Sequence, residues 1–372
     1  MSSTPNLPVI GILGDGQLSW MMTEAYQALG GAVHVLGPNS DTPAHSIANV
    51  SVVGDINDYN DLIRFFPNVD VVTIENEFID SDLLMKVAEE TEVSVRPEPD
   101  RYSLIENKLA ESQFFHDAGV PVADFFKVDS ERDLLDEPGF LKLSKGGYDG
   151  IGTCAVENLA EAKQVWSELR VKGDVVFQHK VTFDKELSVI AVKSGDQVEF
   201  YPMVETHQDL GTCRYVTFPS GVDNDVEQLG FDLVGRIMEK LDCNGLFAFE
   251  LFLKSDGTLI LNESAPRPHN SGHITLDSVD CSQFENHMRA VAGLRLTKPT
   301  VLKTPALMLN LLASKAGEFD EQAIADAIED SELSVKLYGK GTSRPKRKMG
   351  HINLWGDDLW ARARLLNETL DF

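Results

Sequence analysis

The chain has 372 residues, with 33 Lys and Arg against 59 Asp and Glu, a formal net charge of -26 at pH 7. Hydrophobic residues make up 42%, the composition of a globular protein with room for two or three domains. The negative charge disfavours a nucleic-acid interface, although a few converging cations can still hold one small anion. No apolar run approaches the roughly 18 residues of a membrane span, and the start lacks a basic leader, so we expect a cytoplasmic protein.

The cysteines are scattered and show no C-x-x-C spacing. They are Cys154, Cys213, Cys243 and Cys281. This usage predicts free thiols in a reducing compartment.

The first hundred residues alternate strand and helix patterns. An apolar run over 8–13 enters the turn 14–16, and apolar residues then recur every three or four positions over 18–29. Further apolar runs lie at 33–36, 50–53 and 69–75. This is the βαβ pattern of an open parallel sheet, with helix N–H groups at the turn where an anion can bind. Ser19 stands where a dinucleotide fingerprint has its third glycine, so a structural turn is favoured over a nicotinamide site.

The composition changes at Arg96–Pro99, where we place a domain boundary. After it the sequence predicts a helix over 102–118, a compact α+β segment to about residue 180, a strand-rich segment up to Glu263 and a helix from Ser282 to Gly293. The expected domains are 1–100, 101–180 and 181–372.

A glycine-rich loop follows a lysine at the end of a predicted strand. Lys142 lies in the apolar run 140–143, and four glycines lie between Gly146 and Gly152 inclusive. A backbone without Cβ atoms can approach phosphate oxygens closely, and the lysine can neutralise the same oxygens. For the loop taken alone, an ordinary β-hairpin turn is the favoured interpretation.

Two carboxylates lie at matching places on two predicted strands. Glu250 ends the apolar run 246–249, and Glu263 follows the run 259–261 across a turn. Facing side chains on antiparallel strands lie about 5 Å apart, so the two carboxylates repel unless a cation lies between them. Mg²⁺ accepts such ligands, and Asn262 offers an amide oxygen. We therefore favour a magnesium site over a pair of solvated charges.

The segment 264–273 reads Ser-Ala-Pro-Arg-Pro-His-Asn-Ser-Gly-His, which has no hydrophobic-core pattern. With the basic stretch 344–348 it supplies the positive charge that an acidic protein needs to hold an anionic substrate. An incidental surface loop is the less favoured alternative. His269 and His273 have the spacing of zinc ligands on a helix, but Gly272 and the prolines oppose a helix, so zinc is a minor alternative.

Together these motifs resemble the N5-carboxyaminoimidazole ribonucleotide synthetase family of ATP-grasp enzymes, the PurK type. The similarity runs over nearly the whole chain in the family's order. It is carried by 14–18, 71–77, 146–150, Glu250, 262–263, 265–273, 282–285 and 344–351. The glycine loop is shared among ATP-grasp ligases, whereas the run over 265–273 is much more specific to this branch.

The resemblance implies an α/β (α+β) chain with an ATP-grasp fold. An N-terminal Rossmann-like domain is followed by a small lid domain and a larger C-terminal domain, with ATP between the last two. The implied activity is carboxylation of 5-aminoimidazole ribonucleotide with bicarbonate and ATP, through carboxyphosphate, in purine biosynthesis. The resemblance also implies Mg²⁺ as the cofactor and a homodimer.

Site roles carry over residue by residue. The implied ATP contacts are Lys108, Lys142, Gly147, Gly150, Gln178, Glu186 and Asn262. The implied metal ligands are Glu250 and Glu263. The implied catalytic residues, which hold bicarbonate and carboxyphosphate, are Arg267, His269, Asn270 and Lys348. The implied ribotide contacts are Gln17, Glu75, Tyr148, Asp149 and Arg347.

The chain departs from the family pattern at several positions near the implied ligands. They are Ile151 in place of a basic residue, Gln178 in place of a glutamate, Ser19 and Trp20 in place of Gly-Arg, and the altered segment 204–211. Two alternatives therefore stay open. One is a related ATP-grasp ligase with another substrate, such as a formate-dependent glycinamide ribonucleotide ligase. The other, the least favoured, is a non-catalytic ATP-binding paralogue.

Overall fold

The computed structural model describes residues 7–146, 152–209, 211–318 and 332–370. These residues form three main sheets with helices packed on them and one short two-stranded sheet. The four cysteines are free thiols, as predicted. None of the helices in these ranges has the length and apolar composition needed to cross a membrane.

The N-terminal sheet has five parallel strands in the order β3-β2-β1-β4-β5. Its strands are β1 (Ile10–Leu13), β2 (Val33–Gly37), β3 (Val50–Val53), β4 (Val71–Ile74) and β5 (Ser94–Val95). Its helices are α1 (Gln17–Ala28), α2 (Pro43–Ile47), α3 (Tyr59–Phe65) and α4 (Ser81–Thr91). The central strands β1 and β4 are buried throughout, as helices on both faces require. This is the sheet that the alternating apolar runs predict.

The single helix predicted over 102–118 is wrong. Two helices replace it, α5 (Pro99–Glu106) and α6 (Lys108–Asp117), with the extended backbone of Asn107 between them. The Asn107 side chain accepts hydrogen bonds from two N–H groups in the first turn of α6. Asparagine competes with the backbone for hydrogen bonds inside a helix and favours a cap. The break places Lys108 at the beginning of a new helix.

A four-stranded antiparallel sheet follows in the order β6-β9-β7-β8. Its elements are β6 (Phe125–Val128), β7 (Gly139–Leu143), β8 (Thr153–Val156), α7 (Leu159–Leu169) and β9 (Val175–His179). Strands β7 and β8 form a hairpin around the glycine-rich segment, as the hairpin interpretation predicts. Gly147, Tyr148, Asp149, Gly150 and Ile151 lie outside the described residues.

The largest sheet has nine strands. They run in the order β15-β14-β10-β12-β13-β16-β20-β18, with β11 paired to β10. The strands are β10 (Lys185–Ser194), β11 (Gln197–Phe200), β12 (Val204–Asp209), β13 (Thr212–Phe218), β14 (Gly245–Leu253), β15 (Leu259–Ala265), β16 (Ala306–Leu312), β18 (Leu333–Leu337) and β20 (Lys348–Trp355). The separate pair is β17 (Gly317–Glu318) with β19 (Thr342–Ser343). The helices of this region are α8 (Asn224–Leu241), α9 (Thr275–Ser278), α10 (Gln283–Val291) and α11 (Leu359–Thr369).

The strand-rich segment predicted up to Glu263 is confirmed by strands β10 to β15, and helix α8 interrupts it. Helix α8 has 18 residues, and its apolar face is buried against β10 and β15. That face comprises Leu233, Val234, Ile237, Met238 and Leu241. These positions follow the three- and four-residue spacing of a helix, so the signal is present in the sequence. The predicted helix from Ser282 is confirmed as α10.

Helix α10 joins the N-terminal sheet to the nine-stranded sheet. His287 Nδ1 accepts a hydrogen bond from the Leu246 N–H at 3.3 Å. Because a backbone N–H only donates, the ring proton lies on Nε2, which donates to Thr73 Oγ1 at 3.0 Å. Apolar residues of α10 also pack against α1. The two sheets are thereby held on either side of a cavity.

Candidate functional site

A cavity of about 660 Å³ has walls from all three main sheets. The predicted site residues that line it are Gln17, Glu75, Lys108, Lys142, Gln178, Glu186, Glu250, Asn262, Glu263, Arg267, His269, Asn270 and Lys348. Arg347 does not line this cavity, and its Nη1 donates to the Thr342 carbonyl at 2.6 Å. Positions separated by more than 300 residues in the sequence thus meet in one space.

Glu250 and Glu263 face each other across β14 and β15, as predicted, through a shift of register between Glu250 and Leu251. Burial and the Glu263 charge raise the pKa of Glu250 well above its usual value. Lys108 donates to Glu263 Oε2 at 2.7 Å, and its charge lowers the pKa of Glu263 to about 2. The pair therefore carries charge that burial and mutual repulsion penalise. Two carboxylates with Asn262 beside them form the hard oxygen set that fits Mg²⁺.

Two lysines, Lys108 and Lys142, enter the cavity from neighbouring elements. The Lys108 N–H donates to the Ser144 carbonyl at 2.8 Å, and Ser144 Oγ donates to Asn107 Oδ1 at 2.7 Å. These bonds tie the start of α6 to the end of β7. Burial lowers the pKa of Lys142, because its ammonium group loses hydration. A phosphate beside it would restore the lost stabilisation of that charge.

Glu186 on β10 lies in an apolar and amide-lined part of the cavity. It accepts hydrogen bonds from Thr206 Oγ1 at 3.2 Å and Gln208 Nε2 at 2.7 Å, and burial raises its pKa. Phe183 and Phe252 stack nearby in the cavity wall, with ring centroids 4.3 Å apart and planes at 8°. A flat apolar wall beside a hydrogen-bonding carboxylate suits a base and its ribose.

Arg267 is held by a carboxylate from the opposite side of the cavity. Its Nε and Nη2 donate to Glu77 Oε2 at 2.5 Å and Oε1 at 3.0 Å, a bidentate pair. Burial is the largest single influence and acts to raise the pKa of Glu77, but the charge and hydrogen bonds of Arg267, together with smaller contributions that include the Lys108 charge, hold that pKa below its usual value. Glu77 follows β4 and Arg267 follows β15, so the pair joins the two sheets at the cavity.

The polar segment after β15 forms a short 3-10 turn over Asn270–Gly272. Asn270 and Asn310 exchange two buried side-chain hydrogen bonds of 3.0 and 2.6 Å. His269 Nε2 lies 3.5 Å from Glu250 Oε1, and burial lowers the pKa of His269 to about 3. Among the residues that the structure describes, no three or more His, Cys, Asp or Glu side chains cluster as metal ligands. The zinc alternative therefore has no ligand set there.

The N-terminus of α1 is occupied by a carboxylate of the chain itself. Glu75 Oε2 accepts from the Gly16 N–H at 2.7 Å, and Oε1 accepts from the Leu18 N–H at 3.2 Å. A Cβ at Gly16 would lie 2.3 Å from Glu75 Oε1, so the close approach requires glycine. The carboxylate fills the place where a dinucleotide pyrophosphate binds, which favours the structural turn over the nicotinamide site. Gln17, between these two donors, lines the cavity.

The basic stretch supplies the remaining positive charge. Lys348 lines the cavity, and Lys340 Nζ donates to the Lys348 carbonyl at 2.8 Å. Burial and the Arg347 charge lower the pKa of Lys340 to about 8. Cations are thereby concentrated at one edge of the cavity of an acidic protein.

Comparison with known proteins identifies the family. Residues 7–106 match the ribonucleotide synthetase preATP-grasp domain, 113–284 the ATP-grasp domain, and 306–364 the phosphoribosylaminoimidazole carboxylase C-terminal domain. The N5-carboxyaminoimidazole ribonucleotide synthase of Synechococcus elongatus is 35% identical over 360 residues, covering 93% of this chain and 89% of that protein. The chain belongs to this synthase family.

Other synthases support the assignment and the fold. The Bacillus subtilis enzyme is 35% identical over 352 residues, covering 92% of this chain and 90% of that protein. The Aspergillus clavatus synthase structure, in complex with ADP and 5-aminoimidazole ribonucleotide, is 29% identical with a TM-score of 0.89, covering 99% of this chain and 100% of its own. The Thermus thermophilus synthetase has a TM-score of 0.85 at 32% identity, covering 97% of this chain and 98% of its own. The predicted ATP-grasp fold is confirmed.

Ile151 lies outside the described residues, and four other positions at which this synthase departs from the family pattern have defined places. Gln178 lines the cavity, and Gln208 of the altered segment bonds Glu186. Ser19 is buried and donates to the Gly14 carbonyl at 2.7 Å. The Lys336 ammonium lies 4.3 Å from the centre of the Trp20 ring. These replacements are therefore accommodated by polar or cation–π contacts.

Sequence reasoning assigned no role to three residues of the cavity wall: Glu77, Phe183 and Phe252. Glu77 was detectable, because it lies two residues after Glu75 at the carboxyl end of a buried strand. The phenylalanines stack only because β14 and the segment before β10 pair in space. No local pattern reveals that contact.

Proposed function

We propose that this synthase carboxylates 5-aminoimidazole ribonucleotide with bicarbonate, using ATP, to give N5-carboxyaminoimidazole ribonucleotide, ADP and phosphate. The observation that carries the proposal is the opposed pair Glu250 and Glu263 in the cavity that also holds Arg267 and Lys348. One cavity thus combines a carboxylate pair suited to a nucleotide-bound metal with cations suited to a small anion. The similar Aspergillus clavatus synthase binds ADP and 5-aminoimidazole ribonucleotide.

The phosphates of ATP lie between Lys108 and Lys142 in this proposal. The bonds between α6 and the end of β7 hold the two backbone segments that carry these lysines next to each other. Mg²⁺ held by Glu250 and Glu263, with Asn262 nearby, would neutralise phosphate charge and stabilise the transferring phosphoryl group.

The base and ribose of ATP take the other part of the cavity. Phe183 and Phe252 offer an apolar face to the purine, and Gln178 offers an amide at its edge. Glu186 accepts hydrogen bonds from the ribose hydroxyls. The predicted glycine-loop contacts are Gly147 and Gly150, with the loop excluding water from the reaction.

Bicarbonate needs activation because it is a poor electrophile. Transfer of the γ-phosphoryl group to a bicarbonate oxygen gives carboxyphosphate and ADP, and the amine then attacks the carboxyl carbon, directly or after release of CO₂, with loss of phosphate. The residues proposed to hold these anions are Arg267, His269, Asn270 and Lys348. The bidentate contact with Glu77 fixes the plane of the Arg267 guanidinium, which reduces the entropy lost on binding a planar anion.

The aminoimidazole ribotide is proposed to bind beside this anion site. The proposed contacts are Gln17, Glu75, Tyr148, Asp149 and Arg347. We further propose the domain ranges 1–100, 101–180 and 181–372, a homodimer and a cytoplasmic location.

An ADP-release assay with Mg²⁺-ATP tests the function. We expect release that requires 5-aminoimidazole ribonucleotide and bicarbonate together. Release that ignores the ribotide would contradict the proposal. Replacement of bicarbonate by formate, with glycinamide ribonucleotide as acceptor, tests the related-ligase alternative. Nucleotide binding without ADP release under any condition would favour the non-catalytic paralogue.

A further inference from the structure

Gln283, the first residue of α10, is fully buried and contacts the backbone of His269. Its Oε1 accepts from the His269 N–H at 2.9 Å, and its Nε2 donates to the His269 carbonyl at 2.7 Å. A backbone N–H only donates and a carbonyl only accepts, so these two bonds fix the orientation of the amide. A Cβ at Gly272 would lie 2.3 Å from Gln283 Oε1, so the clamp also requires that glycine.

The same amide determines which ring nitrogen of His273 carries the proton. Gln283 Nε2 lies 3.2 Å from His273 Nδ1. An amide nitrogen donates and does not accept, so His273 Nδ1 is the acceptor. The proton of this neutral ring therefore lies on Nε2. His273 is buried and lines the cavity.

Ser271 determines which ring nitrogen of His269 carries the proton, with the same result as for His273. The Ser271 N–H donates to His269 Nδ1 at 3.4 Å, which makes this nitrogen an acceptor. Ser271 Oγ lies 2.8 Å from the same nitrogen and 2.8 Å from Ser188 Oγ. The Ser271 hydroxyl consequently donates to His269 and accepts from Ser188. The ring proton lies on Nε2, which is 3.5 Å from Glu250 Oε1.

We propose that Gln283 and Ser271 are positioning residues that hold His273 and His269 in the Nε2–H tautomer. In this form the two imidazoles meet an anion in the cavity as hydrogen-bond donors and not as bases. Neutral donors fixed in advance stabilise an oxyanion without reorganisation. The identity of the anion as bicarbonate or carboxyphosphate rests on the proposed function, whereas the tautomers do not.

The direct test is NMR of the full-length protein carrying isotope-labelled histidine nitrogens, recorded without substrates. His269→Gln and His273→Gln assign the two sets of signals. We expect a protonated Nε2 and an unprotonated Nδ1 in both rings. A protonated Nδ1 in either ring overturns the proposal. The spectrum does not depend on turnover, so loss of the proposed function leaves this result unchanged.

Gln283→Glu tests the clamp with almost no change in shape. A carboxylate cannot donate to His273 Nδ1, so we expect the His273 proton to move to Nδ1. Loss of one donor to the anion should raise KM for bicarbonate about tenfold, with a smaller change in kcat. A His273 proton that stays on Nε2 overturns the role of Gln283.

Asn286→Asp is the matched control. Asn286 is equally buried on the same helix, and its amide clamps the Thr297 backbone in the same way but contacts neither histidine. We expect unchanged tautomers in this variant.

Ser271→Ala tests the second half of the proposal and remains decisive if Gln283→Glu does not fold. Removal of the hydroxyl deletes the 2.8 Å bond and leaves only the long backbone N–H contact of 3.4 Å on this nitrogen, so a protonated Nδ1 should appear on His269. Ser278→Ala is its control, because Ser278 is also buried and bonds only the Ile274 carbonyl through its hydroxyl. A His269 signal that is unchanged in Ser271→Ala overturns the role of Ser271.

Discussion

Carboxylates on two sides of the cavity are held in different ways, although burial raises the pKa of both Glu75 and Glu250. Glu75, after β4, has both oxygens bonded to backbone N–H groups at the start of α1. Glu250 and Glu263, in the nine-stranded sheet, oppose each other, and their burial and repulsion raise the pKa of Glu250. Both oxygens of Glu75 accept from the backbone, whereas the charge of the opposed pair is balanced in part by Lys108 at Glu263. The comparison distinguishes a carboxylate whose hydrogen bonds come from the backbone from a pair whose remaining charge can hold a metal ion.

The largest effect is expected from removing one charge of the opposed pair. In Glu263→Gln we expect kcat for ADP release to fall at least about 10³-fold, because metal-bound phosphate charge is no longer stabilised. Glu205→Gln is the matched control, because Glu205 also pairs with a lysine, Lys185 at 2.5 Å, but does not line this cavity. Its kcat should change less than about twofold. Equal losses in the two variants would contradict the assignment.

Replacing each carboxylate by a neutral amide should change the unfolding free energy in opposite directions at the two sites. In metal-free protein, Glu75→Gln should lower the unfolding free energy by about 1–2 kcal/mol, because an amide N–H₂ then faces a backbone N–H. Glu250→Gln should raise it by about 1 kcal/mol, because burial and repulsion no longer act on a charge.

The gain in unfolding free energy that we expect for Glu250→Gln should increase with pH. The folded-state pKa of Glu250 is raised, so its ionisation reduces stability progressively above its ordinary value of 4.5. Urea unfolding with a chelator at several pH values measures both variants. Changes of the same sign at Glu75 and Glu250 would remove the contrast between the two sites.

A last test concerns the pH dependence of stability that arises from His287, which joins the two sides. Burial lowers its pKa from 6.5 to about 3, so the unfolded chain takes up a proton below pH 6.5 that the folded protein excludes. Stability is therefore lost as pH falls from 6.5 towards 3, by up to about 1.4 kcal/mol per pH unit for this group. We expect His287→Gln to reduce the slope of unfolding free energy against pH by this amount. The exposed His116 provides the control, since His116→Gln should leave the slope unchanged.

Several features of the fold and site follow from local patterns. The two apolar runs predict a hairpin that brings Glu250 opposite Glu263, and the structure confirms that pairing. The regular register from the turn, with Leu251 opposite Leu261, would pair Glu250 with Asn262, and a β-bulge puts Glu263 in that place. The run at 8–13 and the turn after it predict β1 and α1. The break at Asn107 and helix α8 were missed, although a capping residue and a helical spacing were present in the sequence. In both cases the local signal was present, and the prediction assigned the wrong secondary structure to it.

The sequence by itself determined the family, the parallel N-terminal sheet, the opposed carboxylates and the set of residues that carry charge. These properties depend on residue types at short spacing, which strands and turns convert directly into geometry. Only the tertiary structure decided that Glu77 holds Arg267, that Glu75 fills a helix N-terminus and that Gln283 reaches two histidines. The Glu77–Arg267 contact joins residues 190 positions apart. Its geometry arises from the packing of sheets through α10, which no local pattern encodes.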